Sequence, residues 1–112
     1  TQFNENSKQP AFAHTFPEIF HNELESFEHN PFPLFAIILI DPDSSKEDQK
    51  QIKKFEKILK SKKTPFIKIE MVGDSQLEKI FTSIHLGDWV SYYLGVENNV
   101  EIKKVKLIED FK

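Results

Sequence analysis

Cysteine and arginine are both absent from this chain of 112 residues, and glycine occurs only three times. Without cysteine there is neither a disulfide framework nor a thiolate metal site, so a reducing, cytoplasmic setting is the default expectation. Without arginine all fifteen basic residues are lysine, and the flat, two-pronged contacts that a guanidinium makes with phosphates and base edges are lost. A net charge of −3 further opposes the basic footprint of a nucleic-acid binder, so no nucleic-acid partner is expected. No apolar run approaches the roughly 20 residues that cross a bilayer, and no membrane partner is expected either. Also missing is a Gly/Ser/Thr-rich loop whose backbone N–H groups and hydroxyls would cradle a phosphate. What is present, 38% hydrophobic and 12% aromatic residues, suffices for one core, and thus for one domain or part of one.

Two segments read as strands, the continuously apolar stretch 34–40 and the partly alternating stretch 66–72. The first is expected to be central and the second nearer an edge. Pro31 and Pro33 precede the first strand and Asp41-Pro42-Asp43 ends it, since proline cannot supply a ladder N–H and aspartate favours turns. Ser44 and Glu47 then offer a capping box for a helix whose Ile52, Phe55, Ile58 and Leu59 form one apolar stripe on a lysine-rich body. Thr64-Pro65 breaks that helix and Gly73 turns the chain after the second strand. Ser75 and Glu78 offer another capping box, for a helix carrying Leu77, Ile80, Phe81 and Ile84. The order is βαβα, which implies a parallel sheet with helices covering both faces. Two strands leave strongly apolar edges, so a further strand is expected from elsewhere. Residues 1–33 hold a short helix between Glu18 and Phe27 flanked by proline-interrupted loops. Glu97-Asn98-Asn99 ends the long helix, and Val105, Leu107, Ile108 and Phe111 suggest a last short one.

Three stretches carry more specific information. Asn4-Glu5-Asn6-Ser7-Lys8 is followed by Pro17-Glu18-Ile19-Phe20-His21-Asn22-Glu23, and later comes Leu86-Gly87-Asp88-Trp89-Val90-Ser91-Tyr92-Tyr93-Leu94. Together they resemble the NENxK, PExxHNE and GDWxSxYLA segments of the carboxy-terminal sugar-isomerase (SIS) domain of bacterial and archaeal phosphoglucose isomerases. The bifunctional phosphoglucose/phosphomannose isomerases belong to that group. The resemblance covers nearly the whole chain and implies a three-layer αβα fold with a parallel sheet. In that family a strand, a glycine-containing turn and a helix precede NENxK, so residues 1–112 are expected to be a partial SIS-like domain, truncated at that strand and helix.

The resemblance also implies a chemistry. Aldose–ketose isomerisation of glucose 6-phosphate and fructose 6-phosphate, and of mannose 6-phosphate in the bifunctional enzymes, opens the sugar ring and moves a proton between C1 and C2 through an enediol. A carboxylate, ionised at neutral pH, can take that proton on one face and return it. By resemblance this is Glu5; read without its motif, Glu5 is one exposed acid among many. An imidazole can exchange protons with the ring and hydroxyl oxygens in both directions near neutral pH. By resemblance this is His21, reaching a site across a homodimer interface, with Glu23 orienting its neighbours; the plainer reading is a histidine hydrogen-bonded at a helix start. Lys112 closes a segment similar to the family's terminal IxxLK element, where an ammonium steadies charge on the sugar oxygens. A terminal solvated lysine is the equal alternative, because Glu97-Asn98-Asn99-Val100-Glu101-Ile102 departs from the family's Asp-Pro-containing turn. The reaction implies no cofactor and no metal. The family's phosphate loop lies in a preceding SIS domain, which is therefore an expected partner of this segment.

The remaining features read plainly. His14, His21, His29 and His85 are too scattered for a metal signature, and Pro17 interrupts the stretch where His14, Glu18 and His21 could share a helix face. The lysines from Lys46 to Lys63 form the solvated face of a helix. Trp89, Tyr92 and Tyr93 are read as core or dimer contacts, and Gly87 as the site of a close helix approach. A non-catalytic sugar-phosphate-binding or dimerisation module is the alternative function, because a scaffold does not guarantee an activity.

Overall fold

A computed structural model of the chain describes residues 1–29 and 32–112; Pro31 lies outside the described residues. Its elements are helix α1 (Gln2–Asn6), a 3-10 turn (Glu18–Phe20), helix α2 (Glu23–Ser26), strand β1 (Ala36–Ile40), helix α3 (Lys46–Ser61), strand β2 (Phe66–Glu70), helix α4 (Gln76–Glu97) and helix α5 (Lys106–Phe111). They form two compact units, residues 1–13 with 72–112, and residues 14–71. Among the described residues no helix is long and apolar enough to cross a membrane.

The second unit is built on the predicted βαβ. β1 and β2 run parallel, in register from Ala36 opposite Phe66 to Ile40 opposite Glu70. Side chains alternate across a strand, so Ala36, Ile38, Ile40 and Phe66 share one face with Lys68, whose ammonium lies 3.1 Å from Glu56 of α3. α3 covers that face with Ile52, Phe55 and Leu59, which with Ile38 are the buried hydrophobic core; Ile58, expected in the same stripe, is half-buried. The opposite face shows Ile37, Leu39 and Ile67, each more than two-fifths exposed. β1 is therefore buried on one side rather than central, because among the described residues the sheet has two strands and both are edges.

α3 starts one residue later than its sequence suggests. Ser45, not Ser44, is the N-cap: its hydroxyl accepts from the Asp48 N–H, and the Asp48 carboxylate accepts from the Ser45 N–H. The shorter aspartate closes the box that Glu47 does not. The helix expected between Glu18 and Phe27 is split. Asn22, with φ −131° and ψ −56°, leaves helical geometry between the 3-10 turn and α2.

In the first unit, α1 packs on α4. Ser75 caps α4 by accepting from the Glu78 N–H, but the Glu78 carboxylate reaches the Asp74 N–H instead of completing a box. Gly73, at φ +154°, makes the preceding turn; a Cβ there would stand 2.7 Å from the Lys79 nitrogen. Leu77, Ile80, Phe81 and Ile84 are all exposed, and the buried residues of α4 are Lys79, Ser91 and Gly95. Asn98 caps the far end and Asn99 takes the left-handed conformation at φ 54° that terminates it, as the Glu97-Asn98-Asn99 break suggested.

Candidate active site

The Asn4–Lys8 motif is held by nearly every residue except its glutamate. The Asn6 amide donates to the Ser91 hydroxyl of α4 at 2.8 Å, and Ser91 is wholly buried. Ser7 is also buried; its hydroxyl donates to the Phe3 carbonyl at 2.6 Å, and its own carbonyl accepts from the Asn98 amide at 3.3 Å. Lys8, left-handed at φ 56°, turns its ammonium back onto the Glu5 carbonyl at 2.5 Å and towards the Ile102 carbonyl at 3.4 Å. Each contact fixes a neighbour of Glu5 and none uses its carboxylate, which is exposed and bonded to no described residue. A carboxylate on a fixed backbone with its oxygens free is what a proton-shuttling base requires.

Close approach of α1 to α4 depends on Gly95. A Cβ at that position would stand 2.8 Å from the Asn6 carbonyl oxygen and 2.9 Å from Ile102. Gly87, expected to fill this role, faces open space with nothing within 4 Å. Ser91 and Gly95 were missed as anchors, although their spacing of four places both on one helix face, and Asn98 continues it. Trp89, Tyr92 and Tyr93 are not core residues. They are exposed and pack on one another, Trp89 stacked on Tyr93 with ring centroids 5.8 Å apart.

His21 belongs to the second unit. It ends the 3-10 turn, its N–H donating 3.0 Å to the Glu18 carbonyl, and its imidazole is exposed with no partner among the described residues. The segment is anchored by aromatic packing. Phe16 and Phe20 lie 5.6 and 6.3 Å from the Phe55 ring of α3, and Phe27 meets the same ring edge-on at 5.7 Å. Asn22 precedes α2 without a side-chain cap. Glu23 bonds neither of its motif neighbours; its Oε1 lies 3.1 Å from Nδ1 of His14.

Lys112 follows α5 in the first unit, its N–H donating to the Glu109 carbonyl and its side chain exposed. No described hydrogen bond or ion pair joins it to Glu5. Each unit has an open cleft. One of about 520 Å³ is lined by Phe27, His29, Phe32, Lys62 and Thr64 among others; the second, of about 530 Å³, by Tyr92, Glu101, Ile102 and Lys104. Neither is lined by Glu5, His21 or Lys112. At the first cleft the Lys62 ammonium, through its hydrogen bond and then its charge, holds the Glu28 carboxyl below the usual carboxylate range. No group of three or more histidine and acidic side chains able to hold a metal occurs among the described residues.

Comparison with known proteins gives this arrangement its setting. Residues 1–112 match the family described as the bacterial phospho-glucose isomerase C-terminal SIS domain. The chain is 37% identical to a bifunctional phosphoglucose/phosphomannose isomerase of Thermoplasma acidophilum over 116 aligned positions, covering all of this chain and 35% of that protein. It is 31% identical to the bifunctional phosphoglucose/phosphomannose isomerase of Caldicellulosiruptor bescii, covering 97% of this chain and 34% of that protein. The chain thus spans about a third of the length of these relatives. No solved structure matches it. With the match running from the first residue to the last, and the Asn4–Lys8 motif bonded to the Leu86–Leu94 motif through Asn6 and Ser91, this chain belongs to the family of bacterial phosphoglucose isomerase C-terminal SIS domains.

Proposed function

We propose that the chain is the carboxy-terminal part of a phosphosugar isomerase interconverting glucose 6-phosphate and fructose 6-phosphate, with mannose 6-phosphate as a further substrate. The observation that carries this reading is the anchored motif around Glu5, in a chain matched along its whole length to phosphoglucose isomerase domains. Glu5 takes the proton from C2 of the open-chain aldose, leaving an enediol, and returns it to C1 as the ketose forms. His21 opens the ring by moving a proton from the C1 hydroxyl to the ring oxygen. Lys112 steadies negative charge on the sugar oxygens. No redox step occurs, so proton carriers suffice.

The rest of the site comes from outside these residues. Neither Glu5 nor His21 lines either of the two clefts described, and the sequence carries no Gly/Ser/Thr-rich loop of the kind that cradles a phosphate. A preceding SIS domain supplies the phosphate loop, and the active form is a cytoplasmic homodimer. Exposed Ile37, Leu39 and Ile67 on the sheet, and Trp89 and Tyr93 on α4, support partners of this kind, since contiguous apolar surface marks interfaces.

The test uses the full-length protein in a coupled assay for conversion of fructose 6-phosphate to glucose 6-phosphate. Glu5→Gln should lower kcat on the order of 10²–10⁴-fold with KM little changed. Turnover by Glu5→Gln at the unsubstituted rate would remove Glu5 as the base. Binding of the sugar phosphate without turnover in either form would instead favour the non-catalytic module.

A further inference from the structure

The least expected contact near the candidate site joins His14 to Glu23. Nδ1 of His14 lies 3.1 Å from Oε1 of Glu23, a contact that closes residues 14–23 into a loop. Inside it lies His21, two residues before Glu23. The loop is seated on α3 by Phe16 and Phe20 against Phe55, and crossed by the His21 N–H bond to Glu18. Glu23 Oε2 is withdrawn from water and bonded to no described residue. An oxygen kept dry without a partner is costly, and an ion pair whose two side chains are about one-third exposed adds little to stability. Such an arrangement contributes little to folding, but it fixes the backbone on both sides of an exposed imidazole.

We infer that His14 and Glu23 are positioning residues that act through His21, their contact holding the loop so that the imidazole stands where ring opening requires it. This rests on the reading of His21 as the ring-opening group. Position matters here because an acid–base group displaced by about 1 Å can lose on the order of 10²-fold in rate. Glu23 orients His21 through the chain rather than by touching it, and His14 completes the pair although no motif includes it.

The test is steady-state kinetics of the full-length enzyme with fructose 6-phosphate, in a cycle of His14→Ala, His21→Gln and the double variant. His21→Gln should lower kcat on the order of 10²-fold. His14→Ala should lower kcat about tenfold with KM within about twofold, as losses of supporting hydrogen bonds do, and cause no further loss in the His21→Gln background. Equal losses in both backgrounds would show a merely structural role and overturn the proposal, as would full activity of His14→Ala. Unchanged kcat in His21→Gln would overturn the reading of His21 itself, and the positioning role with it. Should His14→Ala not fold, the other partner gives the same information. Glu23→Gln keeps the acceptor and should retain activity, Glu23→Ala should lose it, and equal kcat in the two would overturn the proposal.

Discussion

The two units are held together by opposite means. In residues 14–71 the buried cluster among the described residues is apolar, Ile38, Ile52, Phe55 and Leu59, ringed by Phe16, Phe20, Phe27 and Phe66, with Thr64 a buried polar residue of the same unit. In residues 1–13 and 72–112 the fully buried side chains are serines, Ser7 and Ser91, while Leu77, Phe81, Tyr93 and Phe111 are exposed. Apolar burial is non-directional and tolerates small shifts, whereas a serine–asparagine bond beside a glycine works in one geometry. The first unit therefore spends its interior on fixing α1, which carries Glu5, and leaves its apolar side chains on the surface. The second builds a conventional core and sets His21 on its rim.

The sharpest way to break this contrast is at Phe55, on which three other phenylalanine rings converge. Phe55→Ala should destabilise the protein by about 3–5 kcal/mol, the range for emptying a large aromatic from a core, read by urea titration. A loss below about 1 kcal/mol would mean that the ring cluster is not the core of this unit. Next in size is Ser91→Ala. It removes the hydroxyl that accepts from Asn6 and leaves that amide without its partner, for an expected loss of about 1–2 kcal/mol. Because the bond holds α1, turnover in the full-length enzyme should fall as well. An unchanged kcat would separate the anchor from the placement of Glu5.

Much of the second unit is legible in the sequence because its signals are local. An apolar run, a stripe at Ile52, Phe55 and Leu59, and flanking prolines and aspartates each report on a few neighbouring residues. Three details differ: the cap of α3 moves by one residue to the Ser45–Asp48 box, the helix expected between Glu18 and Phe27 is split at Asn22, and β1 is an edge strand. The first unit is less legible. Leu77, Ile80, Phe81 and Ile84 mark an apolar face, but periodicity does not say what covers it, and among the described residues all four stay exposed. Gly87 and Gly95 look alike as helix glycines. What separates them is the approach of Asn6, about 90 residues away in sequence, and only the coincidence of Ser91, Gly95 and Asn98 on one face hints at it. Glu5 and His21 were found through resemblance of their motifs. The His14–Glu23 contact was not, because it links a motif to a residue outside every motif.

The smallest expected effect contrasts the buried polar bond of the first unit with an exposed polar pair in the second. Lys62 donates to the Glu28 carboxylate, and that bond, followed by the ammonium's charge, holds the Glu28 carboxyl below its ordinary value. A carboxyl whose pKa is lower folded than unfolded stabilises the fold at pH values above its unfolded pKa. That contribution fades as pH falls through the folded value, because both states are then protonated. Lys62→Ala should therefore differ from the unsubstituted protein in urea titrations near neutral pH and match it in strong acid. The gap should also shrink at high salt, since Glu28 is fully solvent-exposed and its attraction to Lys62 is screened. It should remain smaller than the Ser91→Ala effect at every pH, while the Ser91 effect, which involves no titrating group, stays level across the same range. A Lys62→Ala difference that persisted undiminished in strong acid would mean that the lysine acts through packing of its aliphatic stem rather than through Glu28.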